Sequence, residues 1–144
     1  MRQVQRLLDI SVLIALCDPN HVDHQRVSTW FEKTGANAWV SCPITENGFV
    51  RILSNPSYPG LSGSVSAALN LLQILRRHKG HAFWPDDYSV VDGTVDLSRA
   101  IGHRQITDLY LLGLAARQKG KFTSLDTHIP AHLVHAGDDA YEII

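Results

Sequence analysis

Residues 6–18 read Arg6-Leu7-Leu8-Asp9-Ile10-Ser11-Val12-Leu13-Ile14-Ala15-Leu16-Cys17-Asp18. Val4 to Leu8 has the apolar character of a short buried strand, and Asp9 stops it at once. Ser11 to Leu16 predicts a short apolar helix, ended by the turn signal Asp18-Pro19-Asn20. The same alternation continues outward. His21 to Lys33 is an amphipathic helix with Val22, Val27, Trp30 and Phe31 as its apolar positions, stopped by Gly35. Ala38 to Ser41 is a second strand. Pro43 opens a helix reaching Ser54, where Asn55-Pro56 ends it. Ser62 or Ser64 caps a helix carrying Val65, Leu69, Leu72 and Leu75. His81 to Trp84 is a third strand, closed by Pro85-Asp86-Asp87. Asp96 to Gly102 holds one short helix, and Thr107 to Gln118 a longer one with Thr107 as N-cap. Lys121 to Leu125 is a fourth strand, Pro130 to Ala136 a helical turn, and Tyr141 to Ile144 a fifth strand. Strands alternating with helices predict an α/β domain with a mostly parallel sheet covered on both faces. No repeat, linker or biased tract divides residues 1–144, which are read as one domain.

Composition bounds the function. With 144 residues, 44% hydrophobic and 19% charged, the chain has enough apolar material for a core, so disorder and low-complexity classes are excluded. Thirteen basic against fourteen acidic residues give a net charge of −1, which excludes a globally basic surface. A nucleic-acid partner would need a local basic patch or a metal to meet its phosphates. Cys17 and Cys42 are too few for a disulfide scaffold. Arg2 and Arg6 before an apolar stretch superficially resemble a signal peptide, but Asp9 interrupts it, no A-x-A site follows, and Leu16 before Cys17 is too bulky for a lipoprotein site. No apolar run is long enough to span a membrane. The expectation is a cytoplasmic protein.

In an open parallel sheet, sites form beyond the carboxyl ends of the strands, so residues just after strands matter most. Asp9 and Asp126 each end a strand-like run, and parallel central strands would bring both to one edge; starting a turn is the bland alternative. Glu46 falls on a helical wheel between Leu53 and Val50, within an apolar stripe that includes Phe49 and Ile52. Asn47 and Arg51 lie on the far side. A Glu inside such a stripe needs a partner, and a structural salt bridge to an Arg is the alternative to a functional role. Asp108 lies in the first turn of a helix that is apolar nearly all round (Leu109, Leu111, Leu112, Leu114), pointing away from Tyr110 and Arg117. There a helix N-terminus alone could account for its charge.

Together these four carboxylates would crowd one edge with no basic neighbour in sequence. Like charges that close either raise their pKa values or bind a cation. Hard oxygen donors select Mg²⁺ or Mn²⁺ over zinc, and such an ion activates water and stabilises charge on a phosphoryl group. Ser11, Asn47, Thr107 and Thr123 are candidates for orienting waters or ligands, with capping or backbone bonding as the alternative.

Four segments carry a family resemblance. Leu7 to Leu16, Pro43-Ile44-Thr45-Glu46-Asn47-Gly48-Phe49-Val50-Arg51, Ile106-Thr107-Asp108-Leu109-Tyr110-Leu111 and Phe122-Thr123-Ser124-Leu125-Asp126 resemble, in order, PIN-domain ribonucleases of the VapC toxin type. Ser11 departs from the family, where many members carry Asn. The resemblance implies a three-layer α/β/α fold and a Mg²⁺- or Mn²⁺-dependent endoribonuclease. It carries Asp9, Glu46, Asp108 and Asp126 over as the catalytic and metal-binding residues. It also implies a homodimer and a VapB-like antitoxin whose tail occupies the site. Ser11, Arg51, Arg104 and Thr107 are the candidates for holding RNA. Arg104 leads because it lies four residues before Asp108. The segment from Gly80 to Arg104 matches nothing in the family closely.

Other patterns are set aside. His128, His132 and His135 have zinc-like spacing, but a helix beginning at Pro130 leaves His128 off the shared face. G-x-S-x-G, P-loop and G-x-G-x-x-G patterns are absent. Two rivals stand beside the nuclease reading. One is a catalytically silent PIN scaffold that binds RNA or a protein. The other is an aspartyl phosphotransferase, which would want a second Asp where Ser11 stands.

Overall fold

Alternate strand residues face opposite sides of a sheet, and here that alternation sorts the core into two layers. The computed structural model describes residues 3–61, 63–100 and 102–144. Its strands are β1 (Arg6–Leu8), β2 (Trp39–Ser41), β3 (His81–Phe83), β4 (Lys121–Ser124) and β5 (Tyr141–Ile143). The helices are α1 (Ile10–Cys17), α2 (His24–Lys33), α3 (Pro43–Leu53), α4 (Val65–Arg76), α5 (Ile106–Arg117) and α6 (Gly137–Ala140). Leu8 and Trp39 pack with Val12 and Leu13 of α1, Val27 of α2, Phe49 of α3 and Leu72 of α4. Leu7, Val40 and Phe122 pack on the other face with Leu109, Leu111 and Leu112 of α5 and with Leu133 and Val134. The result is a three-layer α/β/α sandwich, as the sequence predicts.

All five strands are parallel, in the order β3-β2-β1-β4-β5. The chain lays β2 and β3 on one side of β1, then returns to lay β4 and β5 on the other. The crevice beyond β1 and β4 is therefore the topological switch point, where ligands bind in open α/β sheets. Leu8 is in register with Thr123, and the Asp9 N–H donates to the Thr123 carbonyl at 2.9 Å. That pairing delivers Asp9 and the residues after Ser124 to the same edge.

Several element boundaries differ from expectation. Residues 21–23 form a turn before α2, with the Asp23 N–H donating to His21 Nδ1 at 3.0 Å, so the helix starts at His24. A 3₁₀ turn, His103–Gln105, leads directly into α5. Thr107 is consequently the second helical residue and not its N-cap. Ser64 caps α4 by accepting the Ala67 N–H at 3.0 Å; the alternative cap, Ser62, lies outside the described residues. The expected helix in Asp96–Gly102 is a 3₁₀ turn, Leu97–Arg99, with Ile101 outside the described residues. The expected turn over Pro130–Ala136 is a 3₁₀ turn at Ala131–Leu133. It is followed by α6, which starts after Ala136 at a φ of 59°. Gly137 makes that reversal possible: a Cβ there would lie 2.3 Å from the Ala131 carbonyl oxygen.

Candidate active site

Three of the four singled-out carboxylates meet at the β1/β4 crevice. Asp9 caps α1, accepting the Ile10 N–H on Oδ1 at 2.7 Å and the Ser124 hydroxyl on Oδ2 at 2.7 Å. Ser124 in turn accepts the Asp126 N–H at 3.0 Å. One buried serine thus ties the end of β4 to both aspartates. Asp126 Oδ1 accepts the His128 N–H at 2.8 Å, and the Asp126 carbonyl accepts the Tyr141 hydroxyl. Asp108 stands in the first turn of α5.

Electrostatics link the three. Burial pushes the Asp108 carboxyl up to about 7, and the charges of Asp9 and Asp126 add to the rise. Asp9 is raised as well, first by burial, with a further contribution from Asp126; the bonds from Ser124 and Ile10 offset part of it. No cationic side chain contributes to either shift. For Asp9 and Asp108 this is like-charge crowding, while Asp126 has His128 Nδ1 3.9 Å from its Oδ1, a counter-charge only when that imidazole is protonated. Among the described residues, no three His, Cys, Asp or Glu side chains are disposed to enclose a metal ion by themselves.

Glu46 is placed differently, in a hydrogen-bonded pair with an arginine and outside the network that joins Asp9, Ser124 and Asp126. Arg76 Nη1 donates to both Glu46 oxygens at 3.0 Å, and the Ser41 hydroxyl donates to Oε2 at 2.6 Å. His81 Nε2 stands 2.7 Å from that serine oxygen, so its N–H donates to Ser41. Arg76 also lies over the Phe83 ring, 4.9 Å from its centre. The packing of α4 on α3 supplies a cation from thirty residues away, which a helical wheel of α3 alone does not reveal. The structural salt bridge, weighed above as the alternative for Glu46, is what the structure contains.

The remaining candidates divide between two clefts. Ser11 lines a cleft with Asp9 and Asp126. Arg51, Asn47 and Thr107 line a neighbouring one of about 290 Å³, which shares Ile10 with the first. The polar side of α3 therefore faces the crevice rather than bulk solvent alone. Arg104 is exposed in the 3₁₀ turn before α5. Thr123 points elsewhere, donating at 2.7 Å to Glu142, which also accepts from Arg6 at 2.8 Å. Tyr110 does not mark an outer face of α5; it is buried against Tyr88, the rings stacked 4.4 Å apart. Sequence reasoning missed Ser124, although a serine two residues before a strand-terminal Asp is a recurrent turn pattern that could have signalled it.

Comparison with known proteins supplies the family. No family model matches the chain. Three ribonucleases of Mycobacterium tuberculosis are similar to it along most of their length. Ribonuclease VapC44 is 42% identical over 127 residues, 88% of this chain and 89% of the relative. Ribonuclease VapC39 is 42% identical over 121 residues, 83% and 87% of the two chains. Ribonuclease VapC38 is 38% identical over 123 residues, 85% and 86%. With its parallel α/β/α sheet and three aspartates at the switch point, the chain belongs to the VapC-type PIN-domain ribonucleases.

Proposed function

We propose that this protein is the toxin of a VapBC pair, an endoribonuclease that hydrolyses RNA phosphodiester bonds with Mg²⁺ or Mn²⁺ and is restrained by a VapB-like antitoxin. Its place is the cytoplasm, residues 1–144 act as one domain, and the active form is a homodimer. The observation that carries the reading is the cluster of Asp9, Asp108 and Asp126, in which no Lys or Arg among the described residues offsets the raised Asp9 and Asp108. Membership of a family whose relatives are named ribonucleases supports the RNA substrate.

The donor set suits a hard divalent cation. Mg²⁺ takes one or two carboxylates and keeps several waters, so it does not need a closed protein cage. When bound, such an ion supplies an activated water and offsets charge on the phosphoryl group. The chain's own residues do the rest. Ser124 and the Ile10 N–H fix both oxygens of Asp9, leaving its remaining lone pairs directed by a rigid frame. Asp108 projects from a helix buried nearly all round, so its position is set by the core. Arg51 and Thr107, which line the neighbouring cleft, and Arg104, exposed just before α5, receive the RNA backbone, with Ser11 beside Asp9 for a bound water. Glu46 is left out of the ion site and serves as the anchor of Arg76.

The test is direct. Purified protein incubated with short single-stranded RNA should cleave it in Mg²⁺ or Mn²⁺, stop in EDTA, and lose activity in an Asp9→Asn variant that still folds. Undiminished cleavage by that variant would contradict the assignment.

A further inference from the structure

We infer that the cleft opening on Asp9 and Asp126 is a nucleobase subsite, which takes the base of a nucleotide adjoining the scissile phosphate; the inference rests on the ribonuclease reading above. The cleft has a volume of about 470 Å³ and is walled by Ile10, Ile14, Ile52 and Tyr58, with His21 alongside. That falls within the range of about 300–1,000 Å³ typical of small-molecule sites. It is larger than the neighbouring cleft lined by Arg51, of about 290 Å³.

The walls are held by the fold. Ile10 and Ile14 lie one turn apart on α1, on the same face. Gly48 of α3 lets Ile10 seat closely, since a Cβ there would lie 2.3 Å from Ile10 Cδ1. The Tyr58 hydroxyl donates to Asp18 Oδ2, and Asp18 Oδ1 accepts the Asn20 N–H at 2.9 Å. The aromatic ring is therefore tethered at its far end, a fixed stacking surface in an otherwise aliphatic wall.

Charge selects the occupant. Among the described residues no Lys or Arg lines this cleft, and two carboxylates do. An anionic group is repelled there, whereas an uncharged planar ring is accepted. The neighbouring cleft sets the Arg51 cation against a single carboxylate, Asp86, and suits the backbone better. His21 adds a directed polar contact. Its Nδ1 accepts the Asp23 N–H at 3.0 Å, so the neutral imidazole carries its proton on Nε2. That N–H can donate to a carbonyl or ring nitrogen of a base. Splayed, unstacked bases resting on aromatic rings are the general means of reading single-stranded RNA.

The experiment uses short single-stranded RNAs carrying 2-aminopurine at successive positions, bound to the full chain in EDTA, where cleavage is off. The expected result is fluorescence quenching at one position. It should persist in Asp108→Asn and disappear in Tyr58→Ala. A matching set with one abasic ribose, cleaved in Mg²⁺, should lose about ten- to a hundredfold in kcat/KM at that position with the wild type. The Tyr58→Ala variant should be indifferent to the missing base. His21→Ala, at a turn outside the core, serves as a second probe if Tyr58→Ala does not fold, and should weaken the same quenching. Quenching that is equal at every position, with no abasic effect, overturns the subsite while cleavage itself still stands. Position-specific quenching without cleavage by the wild type keeps the subsite and overturns the ribonuclease reading. A Tyr58→Ala protein that discriminates the RNAs as the wild type does, yet escapes its co-expressed antitoxin, gives the cleft to the protein partner and overturns the proposal.

Discussion

Two recessed acidic sites sit at the carboxyl ends of neighbouring parallel strands, and in each a serine hydroxyl donates to the carboxylate. Beyond β1, Asp9 accepts a serine hydroxyl from Ser124 at 2.7 Å. Beyond β2, Glu46 accepts a serine hydroxyl from Ser41 at 2.6 Å. At the second site the protein brings its own cation, Arg76. At the first it brings two further carboxylates, Asp108 and Asp126, and the charge of Asp126 adds to the burial that raises Asp9 and Asp108. A half-buried carboxylate in a helix stripe is therefore not in itself a sign of function. What separates the two sites is that an arginine pairs with the carboxylate at the second, whereas the reading proposed above gives that part to a divalent ion at the first.

Substitutions should break this comparison unequally. Asp108→Asn should reduce RNA cleavage by on the order of a thousandfold or more in single-turnover assays, the scale seen when charge stabilisation at a reacting centre is removed. Its melting temperature without divalent ions should hold or rise, because a destabilising charge is gone. Ser124→Ala should cost about ten- to a hundredfold in cleavage, as losses of residues that orient metal ligands commonly do. It touches no substrate, and its loss should also leave Asp9 harder to ionise, displacing the pH profile of cleavage.

Stability against pH sharpens the contrast further. The Asp108 carboxyl is protonated in both folded and unfolded chains below its ordinary value of 3.8, and ionised in both above about 7. Between those limits the unfolded chain releases its proton first, so ionisation favours unfolding. Without divalent ions, thermal stability should therefore fall as pH rises from about 4 to about 7 and then level off as far as Asp108 is concerned. The Asp108→Asn protein should show a flatter profile in the same melts, and added Mn²⁺ should reverse the loss in the wild type. The smallest effect belongs to Glu46→Gln. Its pair with Arg76 is partly exposed on the arginine side, so unfolding in urea should register a loss of about 1 kcal/mol or less. Cleavage should change by less than about threefold, under 1 kcal/mol of barrier.

How much of this was legible depended on the range of each interaction. The five strands were readable as short runs set off by turn signals or carboxylates on at least one side, and pairing only trimmed their edges. Asp9, Asp108 and Asp126 were readable because strand ends and a buried helix stripe are local patterns. The fate of Glu46 was not, since the deciding partner comes from α4 and nothing near residue 46 announces it. The cap of α5 was misjudged at Thr107 for a related reason: a preceding 3₁₀ turn extends the helix backward. The stretch from Gly80 to Arg104 gave little from sequence, yet it contributes Tyr88 to the core. Tyr88 and Tyr110 exchange hydroxyl-to-carbonyl bonds of 2.7 and 3.0 Å. Gly113 makes room for that contact, since a Cβ there would lie 2.2 Å from the Tyr88 hydroxyl oxygen.

Calorimetric titration of Mn²⁺ into the wild type, Asp108→Asn and Glu46→Gln proteins addresses the contrast between the two sites most directly. The account predicts that the wild type and Glu46→Gln bind the ion alike, and that Asp108→Asn loses most of that binding. Binding that survives in Asp108→Asn but vanishes in Glu46→Gln, or that is missing from the wild type altogether, would contradict it.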